Sequence, residues 1–455
     1  MGPTITCFNF GANESGIRAS LSISWLVSGS EILYSENALI FISLASYRDS
    51  QLVPTVQDCI RKARHPERLR FGICWQRDDA DEPLPFAKDA RFRILDVNWR
   101  ESRGACWARA AIMALWQEED WFLQVDSHCR FAEAWDSTLL RTITETGSDK
   151  PILSTYPLPF KAGDTDLPQG SPLQIIFQQF TPGGIPQLRP GPFPPGRRSK
   201  LPMRARFLGA GFLFAPGRFV REVPYDPELY FMGEESAMTI RAFTHGYDLF
   251  HPAENIIWHD YIRADAPKHW VDHADGAEVP SPWRSLDDAS RRKISRLLLG
   301  EPVESFGLGQ ARALKEYEAY AGLSFRHRKA QAYTMLGAEP PNPDTTPDWP
   351  DKIYPWIANV RFMREQIPPG SLADPMLWSL SILDRQGHEV CHRDVSAEEL
   401  ATFAAAQELA IVCEFHSESI PANWTLWPLT RSGQWLPKFG GQLSDDDFAI
   451  LSKDH

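Results

Sequence analysis

The chain has 455 residues, of which 43% are hydrophobic and 23% are charged, and its formal net charge is −12. These values are ordinary for a globular chain of two or three domains, and the acidic balance argues against a nucleic-acid or anionic-membrane surface. The seven cysteines are scattered without Cys-x-x-Cys spacing, which indicates reduced thiols. The start of the chain has no basic segment followed by an apolar core, and no run of eighteen apolar residues occurs, so we expect neither a secretory signal nor a membrane anchor and predict a cytoplasmic protein.

Strands and helices alternate in the predicted elements of the first half of the chain. Residues 1–36 show no sustained period, and we interpret them as a poorly ordered extension. Apolar runs and helical periods then predict, in chain order, strand 38–44, helix 52–63, strand 69–75, strand 92–97, helix 103–118, strand 121–125, helix 132–145 and strand 151–156. The first three elements form a βαβ unit, whose crossover makes its two strands parallel. This order predicts an α/β domain with a mostly parallel central sheet flanked by helices.

Two polar side chains that can bind a metal ion, Asp126 and His128, follow directly after the strand predicted at 121–125. If the backbone is still extended there, the two side chains point the same way and converge on one point. Ligands collect outside the carboxyl ends of strands in open α/β sheets. A mixed oxygen and nitrogen pair favours an ion such as Mn²⁺ over the all-oxygen cage of Ca²⁺. The alternative is a polar strand end with a satisfied histidine.

Several further stretches are candidates for binding or catalysis. Arg103 and Arg109 lie on or near the helix before this strand, where they could reach a phosphate or remain solvated surface charges. The segment 181–202 is rich in Pro and Gly, so we predict a long loop that is either a lid or acceptor flap or a disordered insertion.

Three later motifs also stand beside predicted strands or helices. The glycines of Gly209-Ala210-Gly211 allow close backbone approach to a ligand or merely a bulge. Glu234 and Glu235 open a predicted helix, where acidic residues usually complement the helix dipole. His259 ends the apolar run 255–258 beside Asp260 and is therefore a candidate third metal ligand.

The last part of the chain has a different pattern. Five prolines and the polar residues between them predict a linker at 336–352, and the short apolar runs beyond it predict strands of a small β-rich domain over 353–455. The sequence Asp384-Arg-Gln-Gly387 supports a hairpin there. We therefore predict an extension over 1–36, a catalytic domain over 37–335, the linker and the β-rich domain.

Taken together, several stretches resemble the polypeptide N-acetylglucosaminyltransferases. In chain order they are Ser46-Tyr47-Arg48-Asp49, Arg103-Gly104 with Ala108-Arg109, Phe122-Leu123-Gln124-Val125-Asp126-Ser127-His128, Gly209-Ala210-Gly211-Phe212, Gly233-Glu234-Glu235 and Trp258-His259-Asp260-Tyr261. The resemblance runs from about residue 40 to residue 263. It implies a GT-A fold, a UDP-sugar donor such as UDP-GlcNAc, Mn²⁺ or another divalent cation, and transfer with retention to a hydroxyl group of a protein or a saccharide.

The resemblance also implies roles for individual residues. Asp126, His128 and His259 would hold the ion. Ser46, Arg48 and Asp49 would hold the nucleoside, with Arg103 and Arg109 assisting it or the phosphates. The backbone of Gly209, Ala210 and Gly211 would meet the sugar. Glu234 or Glu235 would bind donor hydroxyls or receive the acceptor proton.

Three other functions stay open at this point. One is a glycosyltransferase with another UDP-sugar donor and a saccharide or small-molecule acceptor, because acceptor choice lies in variable loops. Another is a sugar-nucleotide-binding protein without catalysis. A third, a metal-dependent hydrolase, is disfavoured because the metal motif lacks the further close carboxylates of a second ion.

Overall fold

The structure is a computed structural model that describes residues 38–164, 166–181, 183–194, 200–263, 266–343, 354–403, 406–417 and 419–451. The predicted extension over 1–36 lies outside the described residues, as does the part of the predicted linker from residue 344 to residue 352.

The strands and helices alternate through the first half of the chain as predicted. The strands are β1 Ile40–Tyr47, β2 Leu69–Arg77, β3 Phe92–Asn98, β4 Trp121–Asp126, β5 Cys129–Phe131, β6 Pro151–Ser154, β7 Leu158–Pro159, β8 Leu173–Phe180, β9 Pro186–Pro192, β10 Met203–Arg204, β11 Phe212–Pro216, β12 Asp248–His251, β13 Ile257–His259, β14 Leu323–Ser324, β15 Lys329–Ala330, β16 Tyr354–Met363, β17 Pro375–Asp384, β18 Glu389–Ser396, β19 Glu408–Ser417, β20 Pro421–Thr430, β21 Phe439–Gln442 and β22 Phe448–Ile450. The helices are α1 Leu52–Lys62, α2 Ala105–Met113, α3 Trp135–Thr144, α4 Phe219–Glu222, α5 Glu234–Thr244, α6 His269–Asp272, α7 Trp283–Leu298, α8 Leu314–Ala321, α9 Ala332–Met335 and α10 Ala397–Thr402.

The central sheet has the strand order β10-β12-β6-β11-β4-β1-β2-β3. β1 lies between β2 and β4 and is parallel to both, and β2 is parallel to β3. β11 is antiparallel to both β4 and β6. The predicted α/β architecture is therefore confirmed, and the carboxyl ends of β1, β2 and β4 open at one edge of the sheet.

Two helices and one loop differ most from the sequence prediction, and the strand expected over 38–44 is β1, which runs from Ile40 to Tyr47. The helix expected over 103–118 is α2, which ends at Met113, and the helix expected over 132–145 begins only at Trp135 because Ala134 has a left-handed φ of 54°. The prediction of a long loop over 181–202 was wrong for residues 186–192. These residues form β9 and pair with β8 in a separate two-stranded sheet. Prolines are tolerated in such a strand because it lies outside the central sheet.

The C-terminal strands form two sheets, β19-β16-β22 and β18-β17-β20-β21. Their inner faces share one apolar cluster, in which the aromatic members are Trp356, Phe362, Trp378, Phe415 and Trp424. The hairpin predicted at Asp384-Gly387 is confirmed, since it joins the antiparallel strands β17 and β18 and Gly387 has a φ of 84°. None of the helices in the described ranges is both long and apolar enough to span a membrane.

We predict that Trp378→Ala lowers the free energy of unfolding by about 3–5 kcal/mol, because it leaves a large cavity. Trp378 is 0% exposed, its ring lies 5.9 Å from that of Phe439, and its Nε1 donates to the Ser371 carbonyl at 3.1 Å. Chemical denaturation measures the change. The control is Trp427→Ala, whose indole is 41% exposed and whose loss should cost much less; equal losses in the two variants would contradict the prediction.

Candidate active site

Three residues that the sequence singled out come together at the carboxyl end of β4. Asp126 is the last residue of β4, and His128 lies in the turn before β5. His259 ends β13, which is antiparallel to β5. One ligand atom of each side chain lies within 4.8 Å of the others, and His259 Nε2 lies 3.0 Å from Asp126 Oδ2. The three side chains thus form one cluster with two imidazoles and one carboxylate.

The cluster fits a divalent cation. Burial lowers the pKa of His128, which favours the neutral imidazole that binds metals. Burial alone would raise the pKa of Asp126, but its hydrogen bond with His259 and the charge of Arg109 outweigh burial and lower it, so the carboxylate is ionised. Gly211 leaves room beside these atoms because it has no Cβ. A Cβ at this position would lie 3.0 Å from Asp126 Oδ2 and 3.9 Å from His259 Cδ2. Nitrogen and oxygen ligands together suit Mn²⁺ and similar ions.

Arg109 lies behind this cluster. Its Nη2 donates to Asp126 Oδ1 at 2.7 Å, and its Nη1 donates to the carboxylate of Glu234. Both Arg109 and Glu234 are buried, so Arg109 is not a solvated surface charge. The two carboxylates neutralise the guanidinium and hold it in place.

Asp49 lies on the opposite side of the cluster, just after β1. Its Oδ2 accepts hydrogen bonds from Ser127 Oγ at 2.6 Å and from Arg263 Nη1 at 2.9 Å, and lies 2.8 Å from His128 Nδ1. Burial would raise the pKa of Asp49, but the hydrogen bonds that it accepts from His128 and Ser127 and the charge of Arg263 outweigh burial and lower it. The sequence placed Asp49 among nucleoside contacts and gave no sign of these partners.

A cavity of about 680 Å³ opens over the cluster. Ala210, Gly211 and Glu235 line its β11 side, and Tyr47 and Gly104 line its β1 side. The predicted site residues Asp49, Arg109, Asp126, His128, Ala210, Gly211, Glu234, Glu235 and His259 all line this cavity. The structure thus brings together most of the residues that the sequence singled out.

Four predicted binding residues lie outside the cavity lining. Ser46 is fully buried within β1, and Arg103 is exposed. Arg48 donates to Asp272 at 2.9 Å and lies 4.9 Å over the Trp99 ring. The Gly209 N–H donates to Ser154 Oγ at 2.8 Å. The roles assigned to these four residues in nucleotide or sugar binding stay predictions.

The adjacent acidic residues Glu234 and Glu235 have different environments. Glu234 pairs with Arg109, whereas Glu235 accepts hydrogen bonds from the Ala210 N–H at 2.9 Å and from the Tyr156 hydroxyl. Burial raises the pKa of Glu235 to about 7, although Tyr156 and the Ala210 N–H both lower it. Glu235 can therefore hold or release a proton near neutral pH.

Sequence reasoning assigned no role to several residues that line the cavity. Tyr261 packs on the metal-ligand candidate His259 with ring centroids 4.1 Å apart, and Arg263 follows two residues later. Their position just after a strand end was a usable signal. Phe231 and Trp270 lie at the cavity with 61% and 40% of their surfaces exposed, and nothing in their local sequence separated them from core aromatics.

Comparison with known proteins gives one family match. The family model described as Glycosyltransferase (GlcNAc) matches residues 39–91 and 82–327. No curated protein matches the chain.

Three solved structures are similar at low identity. The crystal structure of GalNAc-T7 with UDP, GalNAc and Mn²⁺ is 14% identical, with a TM-score of 0.41, over 62% of this chain and 54% of that chain. S. aureus TarS 1–349 is 12% identical, with a TM-score of 0.33, over 49% of this chain and 60% of that chain. Its complex with UDP-GlcNAc is 14% identical, with a TM-score of 0.34, over 58% of this chain and 68% of that chain. The chain thus spans about half the length of the first of these proteins.

We predict that Gly211→Ala weakens Mn²⁺ binding by roughly 10- to 100-fold, because overpacking costs about 1–3 kcal/mol. The added methyl group would crowd Asp126 Oδ2 and His259. Calorimetric titration with Mn²⁺ measures the affinity, and thermal unfolding checks the fold. Gly307→Ala is the matched control, since its Cβ would lie 3.6 Å from the nearest atom, in Val303. Mn²⁺ affinity equal to that of the unchanged protein would refute the prediction.

We predict that Glu235→Gln flattens the pH dependence of stability between about 4.5 and 7. The pKa of Glu235 is raised from 4.5 to about 7 in the folded chain. The folded state therefore holds this proton more tightly, and the free energy of unfolding falls as the pH rises through this window. The variant lacks this contribution, which is on the order of 2 kcal/mol.

Urea denaturation at pH 5 and pH 7 measures the difference. Glu67→Gln, a change on an exposed side chain, controls for the loss of a carboxylate. Parallel pH curves for Glu235→Gln and the unchanged protein would count against the assigned environment of Glu235.

Proposed function

The chain belongs to the glycosyltransferase (GlcNAc) family, and we propose that it transfers GlcNAc from UDP-GlcNAc, with retention, to a hydroxyl group of a protein. It is a glycosyltransferase of the α/β, GT-A class. The observation that carries the proposal is the cluster of Asp126, His128 and His259 at the floor of the cavity. We propose that these residues hold Mn²⁺ or another divalent cation.

The need for a cation follows from the charges around the cavity. Arg109 is neutralised by Asp126 and Glu234, and Arg263 by Asp49. These guanidinium groups therefore offer little free positive charge to a diphosphate. A bound cation supplies that charge as a Lewis acid and stabilises the leaving group. Lys268, whose side chain also lines the cavity, is placed to add to it.

The strand order suggests how the donor lies. The ion cluster is at the end of β4, with β11 on one side and β1 followed by β2 on the other. With the diphosphate at the cluster, the sugar would face Ala210, Gly211 and Glu235. The nucleoside would face the wall that includes Tyr47 and Gly104.

We assign substrate contact to Glu235 and not to Glu234. Both residues line the cavity, but Glu234 is occupied by Arg109, whereas Glu235 is oriented by Tyr156 and the Ala210 N–H. Its carboxylate can accept a hydrogen bond from a donor hydroxyl or receive the acceptor proton. A front-face reaction on the donor is the course proposed for retention, and a covalent intermediate is the alternative.

The acceptor would enter past the exposed rings of Phe231 and Trp270, whose centroids are 6.4 Å apart. Aromatic surfaces of this kind bind apolar side chains of a protein and also the faces of sugar rings. A second candidate function is therefore transfer to a saccharide.

The remaining sequence predictions become part of the proposal. We propose residues 37–335 as the catalytic domain and residues 353–455 as a second domain that docks the acceptor. A cytoplasmic location stays a prediction from the sequence.

The first test is the release of UDP from a panel of UDP-sugars. We expect release from UDP-GlcNAc with Mn²⁺ and little with a chelator. Asp126→Asn should lower the rate by roughly 100-fold or more, because a metal ion supplies several kcal/mol of charge stabilisation. Asp248→Asn, a change in a carboxylate that pairs with Arg312, is the control.

Each outcome decides one part of the proposal. Release from another UDP-sugar would replace the donor but keep the enzyme class. Activity of Asp126→Asn at the level of the control would remove Asp126 from the ion site. Product analysis with peptides and with oligosaccharides then separates the two acceptor classes.

A further inference from the structure

The hydrogen bonds of Asp49 leave it little capacity to bind a ligand. Its side chain is 3% exposed. Oδ1 accepts from the Gln51 N–H at 2.9 Å, while Oδ2 meets Ser127, His128 and Arg263. Each carboxylate oxygen has two lone pairs, so the three partners of Oδ2 use all of its capacity and the Gln51 N–H leaves one lone pair on Oδ1. A nucleoside contact of Asp49 would therefore depend on a single lone pair of a nearly buried oxygen.

The contact with His128 has a direct consequence for the imidazole. The pKa of Asp49 is lowered, and an ionised carboxylate can only accept hydrogen bonds. His128 therefore donates from Nδ1 to Asp49 Oδ2. In the neutral ring the lone pair is then on Nε2. Metal-binding histidines are commonly oriented in this way by a carboxylate on their other nitrogen.

Asp49 also joins the two segments that carry the cluster. Ser127 and His128 lie in the turn between β4 and β5. Arg263 lies four residues beyond His259, on the segment that leaves β13. Asp49, just after β1, contacts both segments and so fixes the distance between them.

We propose that Asp49 is a positioning residue of the ion site: it sets the tautomer and orientation of His128 and ties the β4–β5 turn to the segment after His259 through Arg263. This inference rests on the proposed function in one respect, the binding of a divalent cation by Asp126, His128 and His259. It makes Asp49 a determinant of cation affinity and not a contact of the nucleoside.

The test is the affinity for Mn²⁺ itself, measured by calorimetry and by electron paramagnetic resonance of free Mn²⁺. Asp49→Asn should raise the Kd by roughly 10- to 100-fold, the usual effect of removing an outer partner of a metal ligand. The amide cannot accept from all the partners of the carboxylate, and its NH₂ group faces His128 or Arg263.

A matched variant separates positioning from general stability. Asp58 is also a buried aspartate, and it accepts from the Phe131 N–H at 2.8 Å and from Arg61. Asp58→Asn should lower the thermal unfolding midpoint without raising the Kd for Mn²⁺. If Asp49→Asn does not fold, Arg263→Gln gives the second measurement, because it removes one partner of Asp49 at a partly exposed position and should raise the Kd for Mn²⁺ by a smaller factor.

UDP binding at saturating Mn²⁺ distinguishes the two roles of Asp49. For a positioning residue, the Kd for UDP in Asp49→Asn returns to that of the unchanged protein once Mn²⁺ saturates the site. Unchanged Mn²⁺ affinity with weakened UDP binding would overturn the proposal and restore the nucleoside role. Equal Mn²⁺ affinity in all variants that fold would also overturn it, whereas failure of the unchanged protein to bind Mn²⁺ would instead refute the ion site of the proposed function.

Discussion

The carboxylate of Asp126 is the group on which the site depends. Its Oδ1 accepts from Arg109 and its Oδ2 meets His259, while Arg109 also pairs with Glu234. A buried charge is tolerated only when it is paired and hydrogen-bonded. These four residues therefore fix the positions of α2, β4, α5 and β13 relative to one another. The proposed ion site is built by the same contacts that satisfy the buried charges of the fold.

A hydrogen bond from the central sheet also positions the Ala210-Gly211 side of the site. Gln124 is a polar residue inside the apolar strand β4, and its Nε2 donates to the Ala210 carbonyl at 2.7 Å. This bond holds the Ala210-Gly211 backbone beside the end of β4, and β11 then continues antiparallel to β4. Gly211 can lie this close to Asp126 because it has no Cβ. The presence of the polar Gln124 in an apolar strand is thus explained by its hydrogen bond to the Ala210 backbone.

The sequence predicted those site residues whose position depends only on the local sequence pattern. Asp126, His128 and His259 each follow an apolar run, and the ends of such runs meet at one sheet edge; the structure confirms that they come together. The partners of Asp49 and Arg109 could not be predicted, because they lie up to 214 residues away and depend on tertiary contacts. The strand β9 was missed because proline and glycine dominate its sequence, although its pairing with β8 lies outside the central sheet.

The pairing of charges also explains why cation and donor should bind together. With Arg109 and Arg263 held by carboxylates, a diphosphate that enters without a cation gains little from them and must lose its hydration. A cation held by the proposed cluster would reverse this balance. Because linkage is reciprocal, a donor that binds better with the cation must also strengthen cation binding by the same factor. On the proposed function, Arg109 and Arg263 hold the carboxylates of the site in place, and the cation would supply the positive charge that the diphosphate needs.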